Sequence, residues 1–426
     1  MIPGIIAGGI VGTVAPTYLG ALVRRGSDFG APGANVIVPW DVEVYDRGDW
    51  HSTSSDTDRM TVPTGVSLVR VSHGVLEGSR LGISTLLDGN AIRGMGSISS
   101  QTAGDNSGSC ASALLEVSPG NYLQCGIYSP TSQPNALASP HTWFAIEAVD
   151  PSTKRALLYR TSNQAISAGT TTQILWDAEV YDTDNFHSTS SSTELFTVPS
   201  GVTLVRVGGG VDASNSGQGV LSFLKNGGTA MGLPNQDVEV NGNDWINAWS
   251  APLEVSPGDT FAMQIFATNA INIGNAERNW FAIEEVPSNY ARALVYKTGN
   301  QSIADNTTIA LTWDAEVYDT HAIHDNSTNN SRLTVPNGFT QARLCFSVNA
   351  PSATGQRVAH VRKNGSADYG LPRQETDSAG ADGLAGMGAW VDVVPGDYFE
   401  LYYFQNSGSS MNIGNANNIW FCAEFR

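Results

Sequence analysis

The chain has 426 residues, 45 of them glycine, and carries 40 acidic against 22 basic side chains for a formal net charge of −18. That acid excess repels phosphate backbones and excludes non-specific nucleic-acid binding. Charged residues are only 15% of the chain, and short Val, Ile, Thr and aromatic runs alternate with Gly, Pro, Asn and Ser clusters. This pattern excludes a helical protein and reads as strands and turns, in a chain too long for one ordinary core.

The N-terminal run "IPGIIAGGIVGTVAPTYLGAL" has no charge over a span long enough to cross a bilayer. Pro3, Pro16 and several glycines interrupt it, and no Lys or Arg precedes it as a secretory signal requires. Residues 1–18 are therefore expected to be an apolar anchor buried in a partner or between copies of itself, with Ile2, Pro3, Ile5, Ile6, Ile10 and Val11 supplying the contact.

Beyond it one sentence is spelled three times, from Trp40 to Val71, Trp176 to Val207 and Trp313 to Leu344, each with "EVYD" followed by a His and a "TVP". Tyr45, Tyr181 and Tyr318 mark a spacing of a whole domain rather than of a solenoid turn, so each unit is expected to own a core. The predicted units are 19–150, 151–289 and 290–426. The joints "VDPSTK" and "VPSNYA" are short, which predicts a stiff rod.

Within a unit, "WDAEVYD" alternates so that Trp176, Ala178 and Val180 share one face and Asp177, Glu179 and Tyr181 the other. "TLVRV" and "VLSFLKNGG" follow as strands. Asp88-Gly89, Asn226-Gly227 and Asn364-Gly365 predict tight hairpins with positive φ at both central residues. "PLEVSPGDTFAMQIF" adds strand, turn and strand, and the segments beginning at Trp143, Trp280 and Trp420 close the units. About eight short strands per unit without helices predict an all-β, two-sheet sandwich or jelly roll. Cys110, Cys125, Cys345 and Cys422 occupy no matching positions in two repeats, so free buried thiols are expected rather than a shared disulfide frame.

Asp177, Glu179, Asp182 and His187 form the leading metal candidate, with counterparts Asp41, Glu43, Asp46 and His51, and Asp314, Glu316, Asp319 and His324. Oxygen ligands in that number suit calcium. The alternation turns Asp177 and Glu179 away from Asp182 unless the strand bends, and Asp182 opens a loop where Asp fixes turns, so the structural reading is preferred and no metal is expected. Ser-rich runs beside His51 and His187 lack a nucleophile elbow, and no carboxylate pair stands out for glycan cleavage, so no catalytic residue or cofactor is expected.

Trp143, Trp280 and Trp420 recur and read as core or axis residues. Trp245 and Trp249 in "NGNDWINAWS" have no counterpart. They are candidates to stack on sugar rings with Asn243 and Asp244 taking hydroxyls, or to plug a neighbouring subunit. "HDNSTNNS" (His324 to Ser331) and "SADYGLPRQETDSAG" (Ser366 to Gly380) are candidate tip loops of the third unit.

The ordered landmarks, a strand ending in Asp, then "TVP.GV..(V/A)R(V/L)", "KNG", "L.V.PGD" and an aromatic closing strand, resemble the globular head domain of the complement and tumour-necrosis-factor superfamily. Their wording also resembles tandem modules of tailed-bacteriophage fibres, spikes and decorations. The resemblance covers Gly20 to Arg426 in three copies. It implies three tandem jelly rolls that associate as a homotrimer around aromatic and apolar axis residues. It further implies a virion-surface protein that docks to capsid or tail through the N-terminus and meets a host-surface glycan. A secreted bacterial lectin of the same fold and a polysaccharide-degrading enzyme are the alternatives.

Overall fold

The computed structural model describes residues 18–426 apart from 31–34, 78–80, 101–105, 129–134, 241–244, 352–353, 377–381 and 415. The anchor residues Ile2, Pro3, Ile5, Ile6, Ile10 and Val11, and Asn243 and Asp244, lie outside the described residues. Among the described residues there is no helix, and the chain is built from antiparallel sheets consistent with jelly-roll sandwiches.

The second repeat shows the plan. Its inner sheet runs Ala178–Asp182, Arg155–Tyr159, Trp280–Glu285, Leu204–Asp212, Trp245–Trp249, and its outer sheet runs Thr170–Gln173, Thr260–Ala267, Gly217–Lys225, Asn235–Val240. The first and third repeats repeat the order, with inner sheets from Val42–Arg47 to Asn106–Ala111 and from Ala315–Asp319 to Asp382–Met387. Alternate residues of the two sheets interdigitate, so Trp176, Phe196, Phe223 and Phe281 fill one core and Trp313, Phe346, Phe399 and Phe421 another. The predicted hairpins hold: φ is +48° and +77° at Asp88-Gly89, +52° and +75° at Asn226-Gly227, and +52° and +79° at Asn364-Gly365.

The face assignment of "WDAEVYD" needs correction. Leu157 pairs with Tyr181 but Leu158 with Glu179, so Val180 is bulged out of the ladder. Trp176 is buried while Val180 is 48% exposed, and the same bulge exposes Val44 and Val317. The bulge reverses parity and brings Glu179 to the side of Asp182, which strict alternation forbids.

The chain is also not a rod. Each repeat touches both others: Asn106–Ala111 of the first, Trp245–Trp249 of the second and Asp382–Met387 of the third make mutual contact. Gln374 of the third repeat bridges Gly108 of the first. A separate apolar cluster joins the repeats, drawing Ala111 and Ala113 from the first, Leu157, Trp249 and Trp280 from the second, and Cys345, Trp420 and Cys422 from the third. The short joints hold the repeats close, and packing their inner-sheet faces against one another takes the apolar residues of this cluster out of water.

Trp245 and Trp249 lie in this shared region, 8% and 3% exposed. Trp249 Nε1 donates to Ala111 O at 3.0 Å, and the Trp245 backbone N–H donates to Ser99 Oγ at 2.9 Å. Gly208 and Gly82 make room: a Cβ on Gly208 would stand 2.2 Å from the Trp249 ring, and one on Gly82 would stand 2.7 Å from Trp245. Trp249→Ala should cost ~3–5 kcal/mol of stability in urea unfolding, whereas Val180→Thr on the exposed bulge should stay within about 0.5 kcal/mol of the parent.

Candidate functional site at the junction of the repeats

The three strands Leu68–Glu77, Leu204–Asp212 and Gln341–Ala350 each place one arginine, Arg70, Arg206 and Arg343, on the face turned toward the other repeats. The closing strands place Glu147, Glu284 and Glu424 directly opposite them in register. Each arginine then reaches the glutamate of the next repeat: Arg70 pairs with Glu284, Arg206 with Glu424, and Arg343 with Glu147. Within repeats, Arg206 Nη1 stands 3.0 Å from Glu284 Oε1 and Arg70 Nη1 stands 3.9 Å from Glu147 Oε1. With Arg343 set opposite Glu424 in register, the six side chains alternate in charge in a ring around the junction, all of them buried.

Two further cycles run around this ring. Tyr45, Tyr181 and Tyr318 donate their hydroxyls to the carbonyls of Trp390, Leu114 and Pro252, each in a different repeat, at 2.8, 2.5 and 2.7 Å. Burial holds all three phenols above their usual range, so they remain donors. Farther out, Arg155 meets Glu116 at 2.9 Å, Arg292 meets Glu254 at 3.3 Å and Arg47 meets Asp392 at 2.6 Å. The first repeat has Gly20 where the others begin with arginine, and Arg47 on the neighbouring strand supplies the missing cation. The recurring tryptophans join the same seams: Trp280 Nε1 donates to Met95 O and Trp420 Nε1 to Leu233 O.

Over the ring lies a cavity of ≈ 220 Å³ lined by Arg70, Glu424, Arg426, Trp390, Tyr290 and Tyr18 among others. The Arg426 guanidinium stacks on Tyr18 and Trp390, 4.0 and 4.2 Å from the ring centroids. The inter-repeat joints border it through Val149, Asp150 and Pro287.

The acidic motif is a loop clamp in each repeat. Asp182 accepts from the backbone N–H of Phe186 and His187 at 3.0 and 2.9 Å, and Glu179 Oε1 stands 2.9 Å from His187 Nδ1. His187 Nε2 faces Thr193 O at 3.2 Å. Asp46 with His51 and Glu43, and Asp319 with His324 and Glu316, repeat the arrangement. Asp177 instead accepts from Thr161 N–H at 2.6 Å and Ser162 Oγ at 2.8 Å, as Asp41 and Asp314 do from Gly26 and Thr298. The motif's carboxylates thus point to two different loops, and the strand bulge is what brings Glu179 onto His187.

Of the proposed sugar-stacking residues, Trp245 and Trp249 are covered by the first repeat and by Arg278, whose guanidinium lies 3.8 Å above the Trp245 ring. They plug a neighbour and offer no open face to a glycan. The Arg–Glu ring carried no functional reading from sequence, although the signal was present: a charged residue at an inward strand position in all three copies, "LVRV", "LVRV" and "ARLC", and again in "FAIEA", "FAIEE" and "FCAEF".

No protein-family profile matches the chain, and no curated protein is similar to it. Among solved structures it is similar to murine APRIL (TM-score 0.23, 10% identity, covering 31% of this chain and 100% of that one). It is similar to Eiger TNF from S. frugiperda (0.21, 20%, 32% and 97%). It is also similar to an archaeal virus protein described by its triple jelly roll fold and turret assembly (0.19, 9%, 95% and 89%).

Replacing Glu284 with Gln leaves Arg70 and Arg206 short of a buried carboxylate, and should cost ~3–5 kcal/mol in urea unfolding. Acid should act on the same junction and on the buried histidines. Burial alone would raise the Glu147 carboxyl, but Arg343, Arg426 and Arg70 override it and hold it below 4.5. That stabilisation is present above pH 4.5 and is lost as pH falls through the depressed value. Burial pushes His73 and His141 down to about 3 and His360 well below 6.5, so the stability from keeping them neutral is lost as pH falls from 6.5. The unfolding free energy from urea titrations should therefore drop between pH 7 and pH 5, by up to ~1.4 kcal/mol per pH unit for each histidine, and His73→Gln should flatten that slope.

Proposed function

We propose that this chain is a structural and adhesive protein of a virion surface, working as a single-chain head in which the three repeats take the places of three subunits. The observation that carries this reading is the set of three Arg–Glu pairs between repeats with its two surrounding cycles. It locks three similar bodies into one block and saturates the inward faces that the resemblance would use to bind other chains. Every carboxylate of the ring is held by a guanidinium, which suits locking and not proton transfer. Tyr18 sits at the cavity over the ring, and an axial attachment to a capsid or tail protein through the N-terminus would start from there.

A tailed-bacteriophage appendage presenting exposed loops to a host glycan is the form that the sequence landmarks favour. With Trp245 and Trp249 buried, contact with a sugar falls to surface loops such as His324 to Ser331, where Asp325, Asn326 and Thr328 are exposed. Light scattering should give the mass of one chain, 45.1 kDa; three times that mass would return the trimer to separate chains. Removing residues 1–16 should leave a folded head that no longer joins particles, and unchanged incorporation would exclude the anchor. On a glycan array, binding lost in an Asn326→Ala, Thr328→Ala variant places the site on the third repeat's loop. Absence of binding by the parent chain favours a decoration without a receptor.

A further inference from the structure

Cys345 and Cys422 are direct partners on the antiparallel strands Gln341–Ala350 and Trp420–Phe425. Both are fully buried free thiols, and Tyr318 Oη lies 3.8 Å from Cys422 Sγ. At the matching pairs the other repeats have Ser72 opposite Ala145 and Gly208 opposite Ala282, so the thiol pair belongs to the third repeat alone.

We propose that Cys345 and Cys422 form a redox-responsive disulfide across these strands, made by exchange with a low-molecular-weight disulfide such as oxidised glutathione. One protein thiol, as thiolate, attacks the small disulfide and expels one small thiol. The second protein sulfur then attacks the mixed disulfide, expelling the other small thiol and closing the protein S–S bond. The protein loses two protons and two electrons, and the small disulfide gains them as two thiols.

Directly opposed residues of an antiparallel pair have Cα atoms about 4.5–5.5 Å apart, inside the roughly 4.4–6.8 Å that a disulfide spans. Their Cβ atoms, about 4.5–5.5 Å apart, must close to about 3.5–4.5 Å. That closure stores strain, and a strained disulfide is readily reduced, so the bond responds to redox poise rather than being permanent. Burial requires that exchange occur as the chain folds or as the junction opens; once closed, the bond is shielded. Its place gives it a consequence. Arg343 and Cys345 share a face of one strand, and Cys422 and Glu424 share a face of its partner, so the bond fastens the strand pair that carries the third segment of the Arg–Glu ring. Cys110 and Cys125 provide an internal comparison, because their strands belong to different sheets and Cys110 Sγ contacts His73 Nε2 at 3.1 Å.

The full chain is folded in parallel in oxidised and reduced glutathione and in dithiothreitol, alkylated, and mapped by peptide mass spectrometry, with cooperative thermal unfolding confirming the native state. The expected result is loss of two alkylatable thiols in the glutathione buffer, a linked peptide joining Cys345 to Cys422, and a higher unfolding temperature that dithiothreitol reverses. Cys110→Ser should keep the bond, and Cys422→Ser or Cys345→Ser should abolish it. Four alkylatable thiols in natively folded chain from the oxidising buffer, or a link through Cys110 or Cys125, would overturn the proposal; mapping of the parent chain decides it even where a variant fails to fold.

Discussion

Three arginines and three glutamates buried at one junction set the terms for everything around them. Removing such charges from water costs several kcal/mol per ion, and only close pairing with complementary geometry offsets it. Each guanidinium faces its own repeat's glutamate in register and pairs with the next repeat's, and that second partner is available only when the neighbouring repeat is present and correctly turned. The ring is weak evidence for net stability and strong evidence for specificity, because a slipped or end-to-end arrangement strands charges in apolar surroundings. Apolar area brings the repeats together; the ring chooses the arrangement.

Placing three repeats in one chain frees their shared centre from symmetry. Three identical subunits must present each central residue three times. Here Trp245 and Trp249 come from the second repeat alone, Gly208 and Gly82 clear space for them, and Ala111 and Ser99 of the first repeat receive their hydrogen bonds. Trp390 of the third repeat fills another seam, stacked against Arg343 and Arg426 where the other repeats carry Leu114 and Pro252. The aromatics that occur once are the plugs of an asymmetric centre, which is why singularity alone was a poor guide to a ligand site.

Features with a local physical cause were open to reading from sequence alone. Hairpins follow from Asp-Gly and Asn-Gly dipeptides because few residues tolerate two successive positive φ angles; strands follow from alternation; the threefold repeat and its all-β character follow from spacing and composition. Asp46, Asp182 and Asp319 were legible as turn residues because their partners lie within five residues along the chain. The bulge at Val180 was not, since a two-residue period cannot show where a ladder slips, and with it went the pairing of Glu179 with His187. Tertiary structure alone decided that the repeats close into a ring instead of a rod, that Trp245 and Trp249 are covered, and that Arg70, Arg206 and Arg343 are paired with the next repeat's carboxylate. Those facts depend on surfaces more than a hundred residues apart meeting in space, and the free energy that selects them belongs to the assembled junction, not to any segment of the chain.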